Sequence, residues 1–119
     1  MADKPLILAV DHNRRNLELL SQFLGQEGYE TIIAASLEEF DQALSEPQGV
    51  KLTLVDIAGF DRSVWEHCER LRAADIPFII ISPRQSATIQ QASLTYGARG
   101  VLVKPLAVKE LLGLVRSLI

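Results

Sequence analysis

Five polar residues stand directly behind apolar runs: Asp11 and His12 after "LILAV", Asp56 after "LTLV", Ser82 after "FIII" and Lys104 after "GVLV". A fifth run, "TIIAA", ends at Ser36. The types suit phosphoryl chemistry. A carboxylate can attack phosphorus, and a second carboxylate can hold a cation. A hydroxyl and an ammonium can bind the phosphoryl oxygens. Phosphoryl transfer asks for little else, because its demands are in-line positioning and neutralised charge. Each residue alone has a plainer reading. Asp11 would be a helix N-cap, a role for which Asn13 competes. Asp56 would be a cap or turn residue, Ser82 before Pro83 ordinary turn chemistry, Lys104 a solvated loop lysine and His12 a half-exposed helix-start residue. It is their company that favours the chemical reading.

The elements that must hold these residues alternate. Strand candidates are 6–10, 31–35, 52–55, 78–81 and 100–103. Four of them are almost continuously apolar, as strands of a parallel sheet covered on both faces are. Between them run helical patterns. Residues 14–26 place Leu17, Leu20, Phe23 and Leu24 on one face. Ser36 with Glu39 and Ser63 with Glu66 form capping-box signatures. Residues 85–96 are the least apolar helix and should pack least firmly. The last helix carries Val108, Leu111, Leu112, Val115 and Leu118, with Pro105 just before it. Gly28 and Gly97 stand where helices should stop. Five βα units with right-handed crossovers give a doubly wound, three-layer α/β domain. Sites in such folds lie beyond the C-terminal strand ends, where the five polar residues are.

Over essentially its whole length the chain resembles a response-regulator receiver domain of two-component signalling. The likeness rests on "AVDHN", "LTLVD", "IPFIIIS" and above all "GARGVLVKP", whose Gly97, Ala98, Lys104 and Pro105 match the family's spacing. The resemblance implies a flavodoxin-like (βα)5 fold with a parallel five-stranded sheet in order 2-1-3-4-5. It implies Asp56 as phosphoacceptor, Ser82 as the phosphoryl-binding switch hydroxyl and Lys104 as the phosphoryl-contacting ammonium. It makes the Lys104–Pro105 peptide a candidate for the cis form. Asp11, Asp56 and the Ala58 backbone carbonyl would hold magnesium. His12 replaces the family's second acid, so magnesium should bind more weakly; manganese would tolerate an imidazole ligand better. A protonated His12 could instead supply positive charge itself. Further departures are Gly59, Phe60 and Val64 in the loop after Asp56, Pro83 after Ser82, and Val101 where the family has an aromatic ring.

The implied activity is a phosphorelay switch, not a turnover enzyme. Its partner would be a histidine kinase or histidine phosphotransfer protein. Output would pass through the face of the fourth helix, fifth strand and fifth helix, and the family often dimerises through the last helix face. The alternative is a pseudo-receiver, an interaction module that works without phosphorylation. A flavodoxin-like cofactor binder is disfavoured, because no Gly-rich phosphate loop follows the first strand and "DHNRRN" lacks the cobalamin-type Asp-x-His-x-x-Gly spacing.

Composition agrees. The 119 residues read as one domain, 1–119, free-standing or excised from a longer protein with a DNA-binding output domain. A net charge of −3 offers this domain no strongly basic surface for nucleic acid. The single cysteine, Cys68, excludes an internal disulfide and reads as a small buried helix residue. "MADKP" is no signal peptide and no run is long enough for a bilayer, so a cytoplasmic location is expected.

Overall fold

A computed structural model describes residues 4–46 and 49–119; the N-terminal reading of "MADKP" therefore lies partly outside the described residues. The elements run β1 (Leu6–Val10), α1 (Arg14–Gln26), β2 (Glu30–Ala34), α2 (Leu37–Ser45), β3 (Val50–Asp56), α3 (Val64–Ala73), β4 (Phe78–Ser82), α4 (Ala87–Thr95), β5 (Gly100–Val103) and α5 (Val108–Leu118). All strand pairs are parallel, and the sheet order is β2-β1-β3-β4-β5. The radius of gyration is 13.1 Å. No helix among the described residues is long and apolar enough to cross a membrane.

The continuous apolar runs resolve into two faces with the two-residue period of a strand. Leu8, Val10, Val55, Phe78 and Ile80 join Phe40 of α2 and Val64, Cys68 and Leu71 of α3 on one side. Ile7, Leu52, Leu54, Ile79, Ile81 and Leu102 join Leu24 of α1 and Leu111 and Val115 of α5 on the other. Both parities are apolar because both faces are covered. β2, the most polar strand, lies at the edge.

Local signals hold unevenly. Ser36 caps α2 by accepting the Glu39 N–H at 3.1 Å, while Glu39 accepts the Ala35 N–H at 2.7 Å, one residue before the cap. The Ser63–Glu66 box does not form. Ser63 already has helical backbone angles, φ −68° and ψ −14°, so its hydroxyl cannot reach forward to the helix N–H groups. The Asp61 carboxylate takes both the Ser63 N–H, at 2.9 Å, and the Ser63 hydroxyl. Val108 also departs from expectation: it is 54% exposed, and the buried stripe of α5 is Leu111 and Val115. In α4 the only buried residue is Ser93, whose hydroxyl donates back to Ile89 O at 2.7 Å. Trp65 stacks on Tyr96 with ring centres 5.3 Å apart, a packed ring linking α3 to the end of α4. Cys68 is fully buried, and burial pushes its thiol up to about 12, so it is inert at neutral pH.

Candidate functional site: a buried carboxylate on the strand edge

The strand parity that sorts the core also aims the polar residues beyond it. Leu52 and Leu54 face the α1–α5 layer, so Asp56, two residues on, comes out on that side. Leu102 sends Lys104 the same way, and Ile7 does so for Asp11. Leu8 and Val10 belong to the opposite face, and so by the same alternation does His12.

Contacts follow that geometry. Asp56 is only 2% exposed. Its Oδ2 receives Lys104 Nζ at 2.5 Å and its Oδ1 receives the Ala58 N–H at 3.0 Å. Burial pushes the Asp56 carboxyl above the ordinary carboxylate range; the nearby Asp11 charge adds to this, while Lys104 and the Ala58 N–H pull the other way without cancelling it. The Lys104 side chain is one-third exposed, so its ammonium keeps some water while it pairs. Lys104 N donates to Ser82 O at 3.0 Å, which ties β5 to β4 at the site, and the Lys104–Pro105 peptide is cis.

The rest of the rim is committed to local structure. Asp11 Oδ1 accepts the Asn13 N–H at 2.8 Å, and Asn13 caps α1 through the Asn16 N–H at 3.1 Å. Asn13 thus takes the cap role and leaves the second Asp11 oxygen for the site. His12 is exposed and leans on the β3–α3 loop. Its Cγ lies 3.0 Å from where a Cβ on Gly59 would stand, and its ring meets Phe60 edge-on at 6.1 Å. Gly59 has φ +84°, a conformation that a side chain would strain, and the imidazole fills the space that glycine leaves. Ser82 is buried, and its hydroxyl donates to Arg84 O at 2.6 Å instead of reaching Asp56. The structure therefore brings Asp11, Asp56, Ala58 and Lys104 together and turns His12 and the Ser82 hydroxyl away.

A magnesium ion is the cation that this fold implies. Among the described residues no group of three or more acidic, histidine or cysteine side chains converges. Two carboxylates do fit magnesium, which commonly takes one or two of them and keeps several waters.

Five parallel strands in the order 2-1-3-4-5, each followed by a helix, with a buried aspartate held by a lysine at the carboxyl edge, define a receiver-type fold. Comparison with known proteins agrees: residues 7–116 match the model of the response regulator receiver domain, and the chain belongs to that family. It is 33% identical to the transcriptional regulatory protein AruR of Pseudomonas aeruginosa, an alignment covering all of this chain and 51% of that protein. It is 30% identical to the heme response regulator HssR of Staphylococcus saprophyticus, over 94% of this chain and 50% of that one. The chain thus spans about half the length of these relatives. Among solved structures, a response regulator receiver protein from Pseudomonas putida superposes with TM-score 0.87 at 27% identity, covering 98% of this chain and 99% of that one. A CheY-like receiver domain from Methanospirillum hungatei gives 0.83 at 29%, over 96% and 92%.

Proposed function

We propose that this receiver domain takes a phosphoryl group onto Asp56 from a histidine kinase or a histidine phosphotransfer protein. The observation that carries the reading is the buried Asp56 carboxylate, fixed by Lys104 at 2.5 Å, with the Asp11 carboxylate on the same side of the sheet. An Asp56 oxygen attacks phosphorus as the bond from phosphorus to the donor nitrogen breaks, which leaves an acyl phosphate on Asp56 and a neutral imidazole on the donor. Lys104 transfers its ammonium from the carboxylate to a phosphoryl oxygen. The Ser82 hydroxyl leaves Arg84 O and takes another, and this movement alters the face of α4, β5 and α5. Asp11, Asp56 and the Ala58 carbonyl would hold magnesium, which supplies neutralisation of charge on the phosphoryl oxygens. Manganese gains no advantage while the imidazole of His12 lies on Gly59.

The test is incubation with acetyl phosphate over a magnesium titration, followed by intact mass. One added phosphoryl group, lost in Asp56→Ala, is expected. Modification that survives Asp56→Ala would sink the assignment. No modification at any magnesium concentration would favour the phosphorylation-independent module, which the turned-away His12 makes the natural second reading.

A further inference from the structure

The two ends of α4 are held by unequal means. The C-terminal end grips α3. The Tyr96 ring stacks on Trp65, in the first turn of α3, with ring centres 5.3 Å apart and planes 17° from parallel. Thr95 O accepts an Arg72 guanidinium N–H at 3.4 Å, in the last turn of α3. Gly97 has φ +88°, and the stem of Arg72 lies where its side chain would be, with Cδ 3.1 Å from the position of a Cβ. Ala98 N then donates to Ser93 O at 2.9 Å and Arg99 N to Phe78 O at 2.8 Å, which closes the helix and returns the chain to the sheet.

The N-terminal end has a single tie. Pro83, Arg84, Gln85, Ala87 and Thr88 are exposed. Ser86 caps the helix within its own turn, accepting the Ile89 N–H at 3.2 Å. Among the described residues, the only hydrogen bonds from residues 83–92 to another element go to the Ser82 hydroxyl at the end of β4. That hydroxyl donates to Arg84 O at 2.6 Å and faces the Arg84 N–H at 3.4 Å. Ile89 touches the core, but Ser93 is the one residue of α4 that is fully buried. A segment with so little buried surface opens locally before the body does.

We infer that α4 is hinged at its C-terminal end by Trp65, Arg72 and Tyr96 and latched at its other end by the Ser82 hydroxyl, so that releasing Ser82 frees residues 84–91 and leaves 94–96 in place. Latch and hinge belong to the resting chain. Only the trigger rests on the phosphoacceptor reading: that reading sets the Ser82 hydroxyl moving, and the hinge decides which half of α4 follows. The surface around Arg84 and Gln91 then changes, while that around Leu94, 69% exposed, stays constant.

The test is amide hydrogen exchange of the whole chain by NMR, without phosphodonor or magnesium. The amides of Leu8 and Ala9 in β1 report global opening in the same sample. Ser82→Ala should speed exchange at Gln90 and Gln91 about fivefold, the effect of losing one hydrogen bond, and leave Leu94 and Thr95 unchanged. Ser82→Thr keeps the hydroxyl and should keep the native rates. Tyr96→Ala should speed Leu94 and Thr95 by about the same factor, and Tyr96→Phe, which keeps the ring, should not. Equal acceleration along α4 in Ser82→Ala, or acceleration no greater than that of β1, overturns the hinge. Native rates at Gln90 and Gln91 in Ser82→Ala overturn the latch. Native rates at Leu94 and Thr95 in Tyr96→Ala overturn the stack as the anchor. Beryllofluoride with magnesium should loosen Gln90 and Gln91 as Ser82→Ala does. If it fails where the variants succeed, the phosphoacceptor reading falls and the hinge stands.

Discussion

The two halves of the site rim hold comparable residue types in opposite circumstances. At the β3 and β5 end, Asp56 is buried, its carboxyl is pushed above the ordinary range by that burial, and Lys104 and the Ala58 N–H converge on it. At the β1 end, Asp11 is half-buried and His12 exposed, and their groups serve local structure: a turn to Asn13, a cover over Gly59. Burial makes the partner of Asp56 expensive to remove, since an unmatched charge away from water has nowhere to go. Exposure makes the second half cheap to alter, because its groups keep their contact with water. Stability should therefore depend on the first half more than on the second.

Breaking the buried half should give the largest effect. Lys104→Met leaves the Asp56 charge unmatched and should destabilise the fold by about 1–3 kcal/mol, below the range for a fully buried pair because Lys104 is one-third exposed. Urea unfolding at neutral pH measures it, and an unchanged midpoint would mean that the pair carries no weight. Next comes Asp56→Asn. Because folding raises the Asp56 pKa, the folded state binds that proton more tightly than the unfolded chain does. The carboxylate therefore contributes least at high pH, and stability is lost as pH rises through the folded pKa. Asparagine should gain about 1 kcal/mol at pH 7, roughly 4 °C in Tm. That gain should fade as pH falls through the raised pKa toward the ordinary value of 3.8. A gain that is constant with pH would place its origin elsewhere. The smallest effect belongs to the exposed half. His12→Ala should change stability by less than about 0.5 kcal/mol and leave magnesium affinity, read by Trp65 fluorescence, where it was. A clear loss of affinity would return the imidazole to the cation and erase the contrast between the two halves.

Much of this was legible beforehand. The long apolar runs, each ending in a polar residue, mark a covered parallel sheet and its functional edge, and the Gly97-Ala98…Lys104-Pro105 spacing picks out the family. The direction of each rim side chain was also written there, in a signal easily passed over. Counting by twos from Ile7, Leu54 and Leu102 reaches Asp11, Asp56 and Lys104, whereas counting from Leu8 and Val10 reaches His12. Seen that way, His12 is not an equivalent neighbour of Asp11. The Ser63–Glu66 signature misled because the Asp61 carboxylate, two residues earlier, competes for Ser63, and spacing alone does not rank competing acceptors. Val108 misled because a helical stripe does not say which of its ends meets the sheet and which borders a cleft.

By itself, then, the sequence determined the alternation of elements, the edge on which the polar residues gather and the residue types available for chemistry, since these follow from hydrophobic period and from what each side chain can do. Tertiary structure alone decided that Asp56 is buried deeply enough to need Lys104, that the Ser82 hydroxyl rests on Arg84, that the imidazole covers Gly59 and that α1 and α5 leave an apolar cleft beside the carboxylates. Each of these depends on distances between segments far apart in the chain, and those distances are set only when the two helical layers close on the sheet.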